Sequence, residues 1–162
     1  MVIMQNSVYF GDNFPVLKTF PDSSIQLIYI DPPFNTGREQ QRSKVTTKRC
    51  DSGDRIGFRG ERYETVKSKV LSYDDQFVNY WNFLEPRLEQ AFRILKKTGT
   101  LYLHLDYREA HYAKVLLDAL FGNECFLNEI IWAYDYGGKS KSRWPSKHDT
   151  ILVYVKDPTN YY

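Results

Sequence analysis

Asp31, Pro32, Pro33 and Phe34 follow one another directly after a nearly continuous apolar run, Ile25-Gln26-Leu27-Ile28-Tyr29-Ile30, and lead into Asn35-Thr36-Gly37. These residue types suit one piece of chemistry. The exocyclic amine of adenine or cytosine is a poor nucleophile, because its lone pair is delocalised into the ring. Two acceptors placed on its hydrogens turn that pair toward an electrophile. Asp31 supplies a carboxylate oxygen, and Pro32 supplies a carbonyl from a residue with no N–H, so the local backbone presents mainly acceptors. Two successive prolines restrict the turn further. Phe34 adds a ring face on which an unstacked base can lie, an interaction of roughly 1–3 kcal/mol. An aromatic ring and two acceptors make a pocket for a base taken out of the helical stack. Taken alone, the four residues also read as an ordinary strand-ending turn.

The elements that must position these residues are legible in outline. Residues 25–30 read as a central strand covered on both faces. A short strand at 7–10 and a helical turn at 16–20 precede it. Residues 35–72 are polar, basic and weakly periodic, and read as a long mobile loop. Apolar spacing from Phe77 to Leu95 predicts a helix over 74–97, with Asp74 and Asp75 at its acidic start and Lys96 and Lys97 at its end; Pro86 should kink or split it. Strands at 100–106, 129–134 and 150–155, a helix at 107–121 and a flexible basic loop at 137–146 complete the reading. Strands alternating with helices argue for an α/β layer fold with a mostly parallel sheet. In such sheets ligands sit beyond the carboxyl ends of the strands, where Asp31 and Asp106 both fall.

Composition narrows the setting. The chain of 162 residues is about one domain in size, and no apolar run reaches the roughly 20 residues of a membrane span. The start carries no secretory pattern. Cys50 and Cys125 have no CxxC or histidine company, so two reduced thiols in a cytoplasmic protein are expected, with no metal site. A net charge of +2 does not by itself name a nucleic-acid partner. Its distribution says more: Arg38, Arg42, Lys44, Lys48, Arg49, Arg55, Arg59 and Arg62 outweigh Glu39, Asp51, Asp54 and Glu61, and Lys139, Lys141, Arg143 and Lys147 form a second cluster. With 13 tyrosines in the chain, such loops suit phosphates and unstacked bases, or a solvated surface.

Other residues have competing readings. Asp106 either faces the pocket or caps the helix after it. His104 is expected to be a buried, satisfied histidine. His148 and Asp149 are adjacent on a strand and point to opposite faces, so they should not act as a pair. Trp132 and Tyr134 are expected in the core, although Tyr134-Asp135-Tyr136 opens a loop that could touch DNA. Trp144 is either a DNA contact or a packing residue.

The segment Ile30-Asp31-Pro32-Pro33-Phe34-Asn35-Thr36-Gly37 resembles the catalytic motif of the DNA N6-adenine and N4-cytosine amino-methyltransferases, most of all the adenine-specific enzymes of bacterial restriction–modification systems. Gly11-Asp12-Asn13 is similar to the family's lead-in, and Thr98-Gly99-Thr100-Leu101-Tyr102-Leu103-His104-Leu105-Asp106 to the strand after its next helix. Asn128-Glu129-Ile130-Ile131-Trp132 and Lys147-His148-Asp149-Thr150-Ile151-Leu152 also look familial. The resemblance implies a partial Rossmann-like methyltransferase sheet with helices on both faces, S-adenosylmethionine as methyl donor, and DNA as partner. Asp31, Pro32, Pro33 and Phe34 would form the catalytic turn: Asp31 polarises the amine, the Pro32 carbonyl accepts its second hydrogen and Phe34 stacks on the base. Asp31 and Asp12 would border the cofactor, and Asp12 reads equally as a turn cap. Transfer would be direct, from sulfonium to nitrogen. Adenine N6 is the expected target, with cytosine N4 and a non-catalytic nucleic-acid-binding remnant as alternatives.

One departure from the family pattern is plain. The aromatic-x-Gly-x-Gly segment that wraps the cofactor's methionine end in this family is absent: Gly53, Gly57 and Gly60 lack its spacing, and Gly137-Gly138 opens a basic loop. The expectation is therefore the N-terminal catalytic part of a methyltransferase domain over 1–162, with a basic insert at about 35–72. The target-recognition region and glycine-rich motif would be missing, to be completed by a second polypeptide or oligomer. A restriction subunit is a further expected partner.

Overall fold

A computed structural model of the chain describes residues 6–50, 52–53, 55–56, 62–75, 77–135 and 140–162. Readings that rest on Asp51, Asp54, Gly57, Arg59, Gly60, Glu61, Tyr136, Gly137, Gly138 and Lys139 lie outside these residues. Two compact units result, one formed by residues 1–34 and 78–162, the other by residues 35–77.

In the first unit the apolar run forms strand β1 (Ile25–Ile30). The second unit holds β2 (Arg38–Arg49), β3 (Arg55–Ile56) and β4 (Arg62–Asp75), and the first unit resumes with β5 (Leu95–Asp106), β6 (Phe126–Ala133) and β7 (His148–Val155). The four strands of the first unit line up in the order β1-β5-β7-β6. Only β1 and β5 run parallel; β7 is antiparallel to both of its neighbours, so the sheet is mixed rather than mostly parallel. β1 is an end strand, and Leu27 and Tyr29 are exposed, whereas full cover was expected. Ser7–Phe10 form no strand and are exposed.

The core has a simple origin. Leu101, Leu103 and Leu105 alternate along β5 and are fully buried, opposite Tyr154, Leu152 and Thr150 of β7. Helices α1 (Asn13–Thr19), α2 (Tyr80–Ile94) and α3 (Ala110–Phe121) supply the layer. On α2, Tyr80, Leu84, Leu88, Ala91 and Ile94 recur at helical spacing and are buried. Asn79 caps the helix by accepting from the Trp81 and Asn82 N–H groups. The predicted ends shift inward, because Asp74 and Asp75 belong to β4, and Lys96 and Lys97 to β5. Pro86 neither splits nor ends α2; the carbonyl it deprives of a bond is that of Asn82, an exposed residue whose oxygen water can reach. α3 stops at Gly122, whose φ of 97° suits glycine. Its Lys114 and Asp118 meet Tyr154 of β7, whose hydroxyl donates to Asp118 at 2.6 Å.

Residues 35–72, read as a loop, instead contain a long antiparallel hairpin. β2 and β4 pair from Arg38↔Asp75 to Arg49↔Tyr63, and β3 adds to β4, giving the order β2-β4-β3. Val45-Thr46-Thr47 and Thr65-Val66 are strand-forming residue types, but charged neighbours in the sequence hide the period. Buried Asp75 closes the hairpin's base: its carboxylate accepts from the N–H groups of Asn35 at 2.7 Å and Thr36 at 3.0 Å and from the Thr36 hydroxyl. The N–H of Gly37, in the left-handed region at φ 70°, donates to the Asp75 carbonyl.

Candidate active site

Asp31 sits one residue past the carboxyl end of β1, with its side chain 57% exposed. The turn that follows is held from below. Tyr80, on the first turn of α2, donates its hydroxyl proton to the Pro33 carbonyl at 2.8 Å. The Pro32 carbonyl accepts no hydrogen bond among the described residues, and the Asp31 carboxylate is exposed, so both keep acceptor capacity. Phe34 packs on the His104 ring with centroids 5.5 Å apart. Beside the turn lies a cavity of about 290 Å³ lined by Asn13, Leu17, residues 28–33, Phe83, Leu84, Arg87 and Ala91. Asp31, Pro32 and Pro33 thus lie along a largely apolar hollow, with Phe34 next in the chain and packed on His104.

His104 lies at the centre of the site. It projects from β5 on the face opposite Leu103 and Leu105, toward its strand neighbours. Its Nδ1 is 2.9 Å from the Tyr29 hydroxyl and 3.8 Å from Asp31 Oδ1, and its Nε2 is 3.5 Å from Asp149 Oδ2. The Nε2 atom is buried and makes no hydrogen bond, so the expected satisfied histidine is only half satisfied. Trp132 of β6 stacks on the imidazole at 6.1 Å and 15°. Its other side is open, with the residue 57% exposed, because β6 is the far edge of the sheet; the core placement expected for Trp132 does not hold. Burial, and then the charge of Asp31, push the Tyr29 hydroxyl above its ordinary range, so it stays protonated.

Asp12 caps α1, accepting from the Phe14 N–H at 3.0 Å and pairing with Arg87 at 2.7 Å. The backbone bond first, then Arg87, hold its carboxyl below the ordinary value. Arg87 also bonds Asn13 Oδ1 at 2.9 Å and lies over the Phe83 ring at 3.9 Å, so it bolts α1 to α2 at one wall of the cavity. Asp106 is buried and occupied: it accepts from the Arg108 N–H at 3.0 Å and pairs with the Arg108 guanidinium, closing the turn before α3 rather than facing the cavity. Of the adjacent His148 and Asp149, only Asp149 reaches the site, through His104. Trp144 is 94% exposed and does not pack.

Sequence reasoning named Asp31, Pro32, Pro33 and Phe34 as candidates and did not name Tyr29, Tyr80, Arg87 or Asp149 as the residues around them. The alternation Tyr102, His104, Asp106 against Leu101, Leu103, Leu105 carried the signal for His104, since it puts that imidazole on the face away from the leucine core. Both cysteines are free, and no three His, Cys, Asp or Glu residues converge as metal ligands among the described residues. No helix among them is long and apolar enough to cross a membrane.

Known proteins resemble this chain along most of its length. The type II methyltransferase M.KpnI of Klebsiella pneumoniae is 33% identical over 156 residues, which are 93% of this chain and 32% of that protein. The Mod subunit of the type III restriction-modification enzyme EcoP15I of Escherichia coli is 25% identical over 154 residues, 91% of this chain and 23% of the subunit. The chain thus spans about a third or less of these relatives' length. A DNA modification methylase of Thermus thermophilus shares the fold with a TM-score of 0.54 at 19% identity, covering 94% of this chain and 53% of that one. The cytosine-N4-specific PvuII DNA methyltransferase does so at 0.53 and 15%, covering 93% and 49%. The family model described as DNA methylase, of N6 and N4 type, matches residues 25–162, from the first residue of β1 onward, and the chain belongs to that family.

Proposed function

We propose that this chain is the base-handling part of a DNA methyltransferase that acts on the N6 amine of adenine, with S-adenosylmethionine as donor. The observation that carries the reading is the turn Asp31-Pro32-Pro33-Phe34. It holds an exposed carboxylate and, at Pro32, a carbonyl without a hydrogen bond among the described residues, while Tyr80 occupies the neighbouring Pro33 carbonyl. Asp31 and Pro32 accept the two hydrogens of a flipped amine, which turns its lone pair out of the ring plane. Phe34, backed by His104, stacks on the base. Adenine is favoured over cytosine by the extended motif through Asn35-Thr36-Gly37.

The cavity beside the turn fits part of the donor. Leu17, Ile28 and Phe83 offer apolar walls for an adenine ring, and the Asp31 carboxylate at the rim suits a sulfonium charge. The donor supplies an activated methyl group; what this chain's residues do is hold the amine, shape its lone pair and keep an acceptor beside it. At about 290 Å³ the cavity is at the small end for a ligand of that size, which supports the idea that a further polypeptide segment carrying a glycine-rich loop completes it. Given the Mod relative, whose name makes it a subunit of a type III restriction-modification enzyme, a restriction subunit is a proposed partner. A DNA substrate also suits the cytoplasm.

The test is label transfer from radioactive S-adenosylmethionine to mixed-sequence DNA, with Asp31→Ala as control. Digestion of labelled DNA to N6-methyladenine supports the reading, and N4-methylcytosine would move the target to cytosine. No transfer by the chain, even with a segment carrying the glycine-rich loop supplied, favours a non-catalytic DNA-binding role.

A further inference from the structure

Three side chains meet beside Asp31 in a cluster centred on an imidazole whose polar atoms have no part in the reaction described above. They are Tyr29 from β1, His104 from β5 and Asp149 from β7, and a role for them in methyl transfer rests on the reading of Asp31 as the amine's acceptor. Tyr29 Oη lies 2.9 Å from His104 Nδ1, and Asp31 Oδ1 lies 3.8 Å from the same nitrogen. On the other side of the ring, buried Nε2 faces Asp149 Oδ2 at 3.5 Å.

A neutral imidazole carries one N–H, and its place follows from what surrounds each nitrogen. With the hydrogen on Nδ1, Nε2 would turn a bare lone pair toward a carboxylate in a site shielded from water. With the hydrogen on Nε2, that N–H faces the negative charge of Asp149, and Nδ1 accepts the Tyr29 O–H. The second arrangement gives Nδ1 a hydrogen bond and sets the Nε2–H beside a carboxylate rather than a lone pair beside one. It also agrees with Tyr29 holding its proton through burial and the nearby Asp31 charge.

We propose that His104 is a positioning residue, locked by Asp149 and Tyr29 in the tautomer protonated at Nε2, so that no imidazole N–H competes with the target amine for the Asp31 carboxylate. An Nδ1–H would need only a small rotation of Asp31 to close the 3.8 Å gap and occupy an acceptor that the amine requires. Packing adds to the lock, since the ring contacts both Trp132 and Phe34, which hinder a flip that would exchange its nitrogens. Asp149 and Tyr29 therefore act on the reaction two steps removed from the base, through His104 and then Asp31.

The experiment is a long-range proton–nitrogen NMR correlation spectrum of the nitrogen-15-labelled chain at about pH 8, above the ordinary imidazole range. The sequence has three histidines, and His104→Asn identifies the signal. The expected wild-type pattern is that of a ring protonated at Nε2 alone. Tyr29→Phe and Asp149→Asn keep the shape of their side chains, and at least one should raise the Nδ1–H form severalfold. A wild-type ring protonated at Nδ1, or a pattern unchanged in both variants, overturns the proposal. The measurement needs neither DNA nor methyl donor, so its failure is distinct from failure of label transfer, which bears on the function of Asp31 itself.

Discussion

Tyr80 and Pro33 are joined by a 2.8 Å hydrogen bond that runs from the first turn of α2 to the middle of the Asp-Pro-Pro-Phe turn. It occupies one of the two adjacent proline carbonyls. Tyr80→Phe keeps the buried ring and deletes only the donor. The expected cost is about 1 kcal/mol in urea unfolding, with a fall in methyl transfer of about tenfold or more from a misplaced Pro32 carbonyl. Equal transfer rates in the two proteins would show that the bond does not position the turn.

Asp31 and Phe34 should separate by kinetic signature. Asp31 is exposed, so Asp31→Ala should change stability by no more than about 0.5 kcal/mol. It should nonetheless reduce transfer by roughly 100-fold or more, because a preplaced acceptor is lost. Phe34→Ala removes a stacking surface of roughly 1–3 kcal/mol, which should appear in the affinity for DNA carrying an extruded base. Titration of such DNA with each variant, beside single-turnover rates, distinguishes the two roles.

Gly99 sits in a bulge of β5, where Ile25↔Leu95 gives way to Leu27↔Thr100 across the β1 ladder. A Cβ there would lie 2.9 Å from the Gln26 carbonyl oxygen and 2.7 Å from Leu95 Cδ1. The leucine can turn aside, but the β1 backbone must move. Gly99→Ala should therefore cost about 1–3 kcal/mol and disturb the strand that carries Asp31. Chemical denaturation measures the first effect, and amide chemical shifts along residues 25–31 the second.

Tyr154 gives the fold an alkaline limit. Burial first, then its hydrogen bond to Asp118, raise its phenol well above the ordinary 10.0. The unfolded chain releases that proton above pH 10 while the folded chain keeps it, so stability is whole below that point and falls as pH rises beyond it. Tyr154→Phe should flatten this decline while weakening the protein near neutrality, where the bond to Asp118 is lost. Unfolding midpoints measured across the alkaline range test the change of slope.

The strand that leads into the candidate site was legible in the sequence. β1, its abrupt end and the Asp-Pro-Pro-Phe turn are local features, written in contiguous residues, and they appear where expected. What surrounds them is not local. Tyr80 and His104 meet the turn, and Asp149 meets His104, only through the packing of α2 and the pairing of β1, β5 and β7, which no window of sequence displays. The hairpin at 38–75 was misread for another reason. Its strands pair over most of their length, but Lys, Arg and Glu occupy so many positions that the composition resembles a loop. Trp132 was misplaced because an apolar side chain on a strand reads as core, and only the strand order reveals that β6 is an edge.

That strand order bears on β1 as well. Among the described residues it lies at the opposite rim of its sheet and pairs with β5 alone. Every second peptide N–H along it therefore lacks a ladder partner, and those amides should trade hydrogen for deuterium with the solvent well before the ones that face β5. The strand that aims Asp31 is held by a single seam, so its rigidity is set by whatever polypeptide lies along the outer side. Deuterium uptake at residues 25–30 then becomes a direct gauge of assembly: slow uptake marks a chain whose active-site strand has been clamped from both flanks, and fast uptake one that is still waiting for its second neighbour.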